Sequence, residues 1–302
     1  MVLGLGNSLT SLYTPSGAEA YVATTSFDLD GSDDHINLSN SWGLKGRVTD
    51  TSEGTGITCA VWFKLDDIQT TGTTHNIINC IQYPGGWNIQ FNNTRLSVSL
   101  NRGDAARDAH MSITGGWRTL GTSASPLRAS GWHHVGITFD GRYLKMYLNG
   151  SQYGSSVDAG SDDNYIYHNE GGAGGATQPT CMSVGDVDLL IGADPNNLTS
   201  DGCGVPGTSP PLQTFGGLIN EVGIWNKVLD VDAFSDIFEA VNTDGAVLDL
   251  TKDSSDYDYS GDLVGLYRGN DIDGTTATNV ANPGTHDGVM KNSIGTSSTV
   301  PS

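Results

Sequence analysis

GWHHVGITFDGRYLKMYLNG, residues 131–150, is the stretch that decides the fold, because it writes out two strands and the turn between them. Val135, Ile137 and Phe139 alternate on one face, and Leu144, Met146 and Leu148 alternate on the return strand. Asp140-Gly141 is a two-residue hairpin signal, since that pair tolerates the positive φ values such a turn demands. Asn149-Gly150 supplies a second turn at once. The spacing predicts an antiparallel meander with one buried face, which points to a β-sandwich.

Working outward, Ile57, Cys59, Val61, Phe63 and Leu65 alternate with Thr58, Ala60, Trp62 and Lys64, a half-buried strand. Similar short strands are expected at Ile77–Gln82, Trp87–Phe91 and Leu96–Leu100. Asp230 is placed to cap a helix in which Phe234, Ile237, Phe238 and Val241 fall at i, i+3, i+4 and i+7. The segment Thr251–Asp262 is Asp- and Ser-rich and reads as a linker, followed by Leu263-Val264-Gly265-Leu266-Tyr267-Arg268 and a tail. The organisation expected is an arm over 1–25, a sandwich over 26–241, and a linker and tail over 242–302 that packs back on the sandwich or on a neighbouring subunit.

Composition narrows the function. The chain has 302 residues, 34 acidic against 14 basic, and a formal charge of -20, so its field opposes nucleic acid phosphates and no nucleic acid partner is expected. Only five of the acids are Glu (Glu19, Glu53, Glu170, Glu221, Glu239). Asp hydrogen-bonds its own backbone, which sends most of the negative charge to turns and loops. The opening Met1–Leu9 carries no basic residue and no long apolar run, so neither export by a signal peptide nor a membrane span is expected. Cys59, Cys80, Cys181 and Cys203 lack metal-type spacing and read as buried or idle thiols; Cys181 with Cys203 is the one pair open to a disulfide.

Two long loops, Asn101–Ser130 and Ser155–Val187, interrupt the strands, and loops of that length in a compact domain usually serve a partner or a ligand. The glycine run 171–175 lacks the ending and setting of a phosphate loop. Arg102-Gly103-Asp104 reads as ordinary loop sequence. Trp117 and Arg118 are the glycan or interface candidates, and five of the eight arginines fall between Arg95 and Arg128, where they can meet an acidic patch on another copy or simply keep a loop soluble.

A Trp-His-His-Val strand, an Asp-Gly turn and a strand ending Leu-Asn-Gly resemble the laminin G-like domains, which belong with the concanavalin A-like lectins and the pentraxins. Residues 27–36 (FDLDGSDDHI), 57–64 (ITCAVWFK) and 215–226 (FGGLINEVGIWN) resemble the opening, second and closing strands of that family. The resemblance implies an all-β, antiparallel, jelly-roll-like sandwich of the concanavalin A type with one short helix and extended terminal arms. Relatives include calcium binders, and Asp30, Asp33 and Asp34 form an acidic turn that Glu221 reaches if the closing strand neighbours the first; a structural calcium is the only cofactor expected. Relatives also include glucanases, which need paired carboxylates, but no Glu-x-Asp-x-(x)-Glu strand is present. His133 and His134 are adjacent on a strand, point to opposite faces and read as packing residues. No catalytic residue is expected.

The arms and the opening Met-Val-Leu-Gly-Leu-Gly-Asn-Ser-Leu are similar to laminin G-like structural proteins of bacteriophage particles, marine phages especially. That resemblance implies a non-enzymatic virion component, a capsid decoration, capsid-associated or tail protein, located in the virion and contacting other virion proteins and copies of itself. A glycan-binding module that meets host surface polysaccharide is the alternative.

Overall fold

The computed structural model describes residues 20–39, 56–65, 74–80, 86–92, 95–101, 131–140, 143–158, 188–195, 213–241 and 246–302. In chain order the strands begin with β1 (Ala20–Val22), β2 (Ser26–Asp30), β3 (His35–Asn37), β4 (Ile57–Leu65), β5 (Thr74–Asn79), β6 (Gly86–Asn92), β7 (Arg95–Asn101), β8 (His133–Phe139) and β9 (Tyr143–Leu148). There follow β10 (Ser151–Gln152), β11 (Val157–Asp158), β12 (Leu190–Ile191), β13 (Gly216–Trp225), helix α1 (Val231–Glu239) and β14 (Ala246–Leu248). The end of the chain adds β15 (Leu263–Tyr267), β16 (Ile272–Asp273), β17 (Thr276–Ala277), β18 (Gly288–Lys291) and β19 (Gly295–Ser297).

Two main antiparallel sheets face each other. One runs β10-β9-β8-β4-β13-β2-β19, with β11 on β9 and β15 on β13; the other runs β16-β17-β18-β3-β12-β5-β6-β7. Phe27, Cys59, Val61, Val135 and Ile137 from the first meet Ile36, Trp87, Ile89 and Val98 from the second in one buried cluster. The protein is an all-β antiparallel sandwich, with one short α-helix among the described residues. The β8–β9 hairpin pairs Val135 with Leu148 and Phe139 with Leu144. Asp140 closes this turn instead of occupying its centre: its N–H donates to the Tyr143 carbonyl and its carboxylate accepts from the Tyr143 N–H. Asn149 and Gly150, at φ 48° and 78°, form the left-handed turn their types favour.

The first sheet departs from the half-buried pattern. Its outer face is covered as well, so β4, β8 and β13 are buried on both sides. Helix α1, capped by the Asp230 carboxylate accepting from the Ala233 N–H at 2.9 Å, lays Phe234 on this face. Phe234 stacks on Tyr147 at 3.9 Å and sits above Gly136, where an added Cβ would fall 2.1 Å from its ring. Trp62, on the face expected to be wet, stacks on Phe238 of the helix. Residues 249–262 complete the cover and are no loose linker: Tyr257 is fully buried, takes a hydrogen bond from the Trp225 indole at 3.0 Å and donates to the Leu250 carbonyl at 2.8 Å.

Residues beyond 262 enter both layers. β15 pairs with β13 and β19 with β2 in the first sheet, while β18 pairs with β3 in the second. At the other end of the chain, β1 pairs with β14, and Thr24 and Thr25 donate backbone N–H groups to the Asn270 side chain. Within the described residues no helix is long and apolar enough to cross a membrane.

Candidate functional site

The sequence Asp30-Gly31-Ser32-Asp33-Asp34 is the turn by which the chain leaves β2 in one sheet and enters β3 in the other. Gly31 has φ 73° and lies so close to the closing strand that a Cβ would stand 3.1 Å from the Gly216 Cα, so glycine is required twice over. Asp30 folds the turn on itself by accepting from the Ser32 and Asp33 N–H groups at 2.8 and 3.4 Å. Asp34 Oδ2 accepts from the Asp30 N–H at 3.2 Å. Thr214, just before β13, donates its hydroxyl to the Gly31 carbonyl at 2.7 Å, and the His35 ring meets the Asp33 carbonyl at 2.9 Å.

The outcome is a convergence of acid. One carboxylate oxygen from each of Asp30, Asp33 and Asp34 lies within 4.8 Å of the others. Asp34 is only 4% exposed, yet its Oδ1 has no hydrogen-bond partner. Burying a carboxylate oxygen without a donor is costly, and the neighbours make it worse. Burial pushes the Asp34 carboxyl above the ordinary range; the Asp30 N–H pulls it back, and the charges of Asp30, Asp33 and Asp28 push it further up. Exposed Asp30 is held below that range, chiefly by the Ser32 N–H. Hard oxygen donors of unneutralised charge, on a turn at the rim of a sandwich, suit a divalent cation, and oxygens within 4.8 Å of one another are close enough to reach one calcium ion, whose opposed ligands stand about 4.6–5.2 Å apart.

Glu221 does not join them, which corrects the four-residue set. Its strand does neighbour the first, but the register sets Asp30 opposite Gly216, so Glu221 lies five residues further along, roughly 17 Å away. There the pairing of β13 with β4 shifts between Asn220 and Gly223, and Glu221 takes φ 47°. The bulge turns its side chain into a buried seam. The Arg268 guanidinium donates to Glu221 Oε2 at 3.0 Å and to Asp249 at 3.3 Å, and it lies 3.8 Å from the centre of the Tyr21 ring. Burial pushes the Glu221 carboxyl up to about 7, with Arg268 pulling the other way. The sequence carried one signal for this seam: a single Arg ends the apolar run 263–267, and a guanidinium placed there must find acids.

The remaining candidates fall into place. His134 lies against Trp62 and Phe234 and His133 against Phe63, so the two rings pack on opposite faces. Burial takes His134 down to about 3, which keeps it neutral. Cys59 and Cys80 are buried and join no disulfide, and burial pushes the Cys59 thiol up, away from reactivity. Trp117, Arg118, Cys181, Cys203, the glycine run and residues 1–19 of the arm lie outside the described residues.

The family model described as the concanavalin A-like lectin/glucanases superfamily matches residues 30–189, more than half of the chain. The chain belongs to that superfamily. Among solved structures, this superfamily member is similar to a Bacteroides ovatus protein to which carbohydrate binding is ascribed, at 12% identity and a TM-score of 0.53, over 93% of this chain and 61% of that one. That likeness is one of fold, and the chain spans about three fifths of the neighbour's length. The native heptameric SAP-like pentraxin of Limulus polyphemus aligns over 74% of this chain and 86% of its own at 12% identity with a TM-score of 0.44. Domains LG4-5 of the mouse laminin alpha1 chain align over 76% and 48% at 14% identity with a TM-score of 0.38. No curated protein matches the chain.

Proposed function

We propose that this concanavalin A-like chain is a non-catalytic carbohydrate-binding module whose rim is organised by calcium at Asp30, Asp33 and Asp34. The observation that carries it is the convergence of three carboxylates, one with a buried and unpartnered oxygen, on a turn where Asp30 remains open to solvent. Three monodentate carboxylates leave at least three positions of a six- to eight-ligand shell for carbonyls, water or sugar hydroxyls. Membership in a lectin superfamily and likeness to a neighbour with ascribed carbohydrate binding support the ligand class. Catalysis is not proposed: Glu221, the one acid of β13, is engaged by Arg268, and His134 has no basicity to offer near neutral pH.

Calorimetric titration with calcium followed by a polysaccharide array in calcium and in EDTA tests this. Calcium heats with the wild type and retention of a polysaccharide only in calcium are expected, with no reducing ends released from the bound sugar. Retention unaffected by EDTA breaks the link to the turn, and turnover that survives repurification breaks the non-catalytic reading.

A second placement rests on the sequence resemblance to phage structural proteins: a virion component in contact with copies of itself and with other virion proteins. None of the matched proteins named above is a phage protein. Mass spectrometry of purified particles decides it, since a structural component is abundant there and an accessory module is not.

A further inference from the structure

The Asp turn is not the only connection that changes layers at this edge. β18 lies in the second sheet and β19 in the first, so residues 292–294 cross between layers in the direction opposite to that of the Asp turn. The two crossings run side by side, because β18 pairs Lys291 with His35 and β19 pairs Gly295 with Asp28, the residues flanking the turn. Asn292 and Ser293 both have positive φ, 62° and 71°, which bends the tail sharply over the turn, and Ile294 then inserts into the core between the sheets. At the apex, the Asn292 side-chain amide donates to the Asp33 carbonyl at 2.8 Å.

We infer that Asn292 is a positioning residue for the cation site, and that cation binding and docking of the tail are a single coupled equilibrium. The inference rests on the reading of the Asp turn as a cation site. Asp33 is a ligand whose backbone is held by a residue 259 positions away, while Thr214 holds Gly31 and Ser32 from the closing strand. The three carboxylates carry like charge, so a cation that gathers them favours the turn whose Asp33 carbonyl Asn292 clasps. Coupling of this kind is reciprocal, so whatever factor the docked tail adds to cation affinity, the cation adds to tail docking. Groups that hold ligands in place are commonly worth 10- to 100-fold in metal affinity.

The test uses the full chain and calcium chloride. Asn292→Gly removes the amide and suits the positive φ, so the fold is expected to survive, and a thermal melt in EDTA that overlays the wild type confirms it. Calorimetry should show calcium binding weakened about 10-fold in Asn292→Gly. Hydrogen exchange of residues 288–297 in the wild type should slow when calcium is added. Equal calcium affinity in the two proteins, or tail exchange that calcium leaves unchanged, overturns the inference and leaves the cation site standing. No calcium heat with the wild type overturns the site itself.

Discussion

The turn at Asp30–Asp34 and the seam at Glu221 are both acidic, both built on strands of the first sheet, and electrostatically opposite. At the seam the fold supplies its own cation: Arg268 bridges Glu221 and Asp249, and Tyr21 covers the guanidinium. At the turn the charges that act on Asp34 are those of Asp30, Asp33 and Asp28. A buried carboxylate paired in the fold is spent on structure, whereas one left among like charges is available to a ligand. The same comparison explains why Glu221 is no calcium ligand although its strand runs beside Asp30.

The largest expected effect comes from unpairing the seam. Arg268→Met leaves Glu221 buried without its partner and should cost about 3–5 kcal/mol in urea unfolding. Replacing both partners, Glu221→Leu with Arg268→Met, should recover most of the loss, since two apolar groups can fill the space without an orphan charge. A single variant that loses less than about 1 kcal/mol would mean that the pair is weak in the way surface pairs are, and the contrast with the turn would collapse.

At the turn the same kind of change should have the reverse sign. Asp34→Asn removes one of three repelling charges, so in EDTA the variant should be as stable as the wild type or more so. In calcium at about 100 times its dissociation constant the wild type should gain about 2.7 kcal/mol and the variant much less. Equal gains in both proteins would move the cation elsewhere.

The hairpin at 133–148 was legible because alternation and turn chemistry are local, and Asn149-Gly150 adopts the conformation its residue types favour. So was helix α1, cap included. The cover over the outer face of the first sheet was not, since Ala60 and Trp62 take on that face only after a helix and the 249–262 segment arrive from well over 150 residues downstream. Polar composition misled in the same segment: Tyr257 buries itself among aspartates because the Trp225 indole and the Leu250 carbonyl satisfy its hydroxyl. Of the candidate site, the three aspartates were legible as a run, and their convergence is a property of the turn they make. Glu221 and Arg268 meet across 47 residues, and Asp33 and Asn292 across 259, through pairings that no local pattern announces.

The finest test of the contrast is a pH slope. Burial raises the Glu221 carboxyl from an ordinary value of 4.5 to about 7, so the folded protein holds a proton that the unfolded chain has already released. The stability this contributes is complete below the ordinary value and is lost as pH rises through about 7. Asp249 and Asp30 act in the other direction. Burial works to raise Asp249, but hydrogen bonds from Thr251 and the Arg268 charge take it below its ordinary value, and backbone N–H groups do the same for Asp30. Their stabilisation is present above the ordinary carboxylate range and disappears as pH falls through their lowered values. Asp34 is raised, like Glu221, but only while no cation competes for it. His134, which burial takes down to about 3, acts the other way as pH rises to its ordinary 6.5, so the fall is read above that value: urea midpoints in EDTA should drop from pH 6.5 to 8. Glu221→Gln should make that slope shallower by removing the seam's share. A slope that Glu221→Gln leaves intact would place the retained proton elsewhere than at the seam.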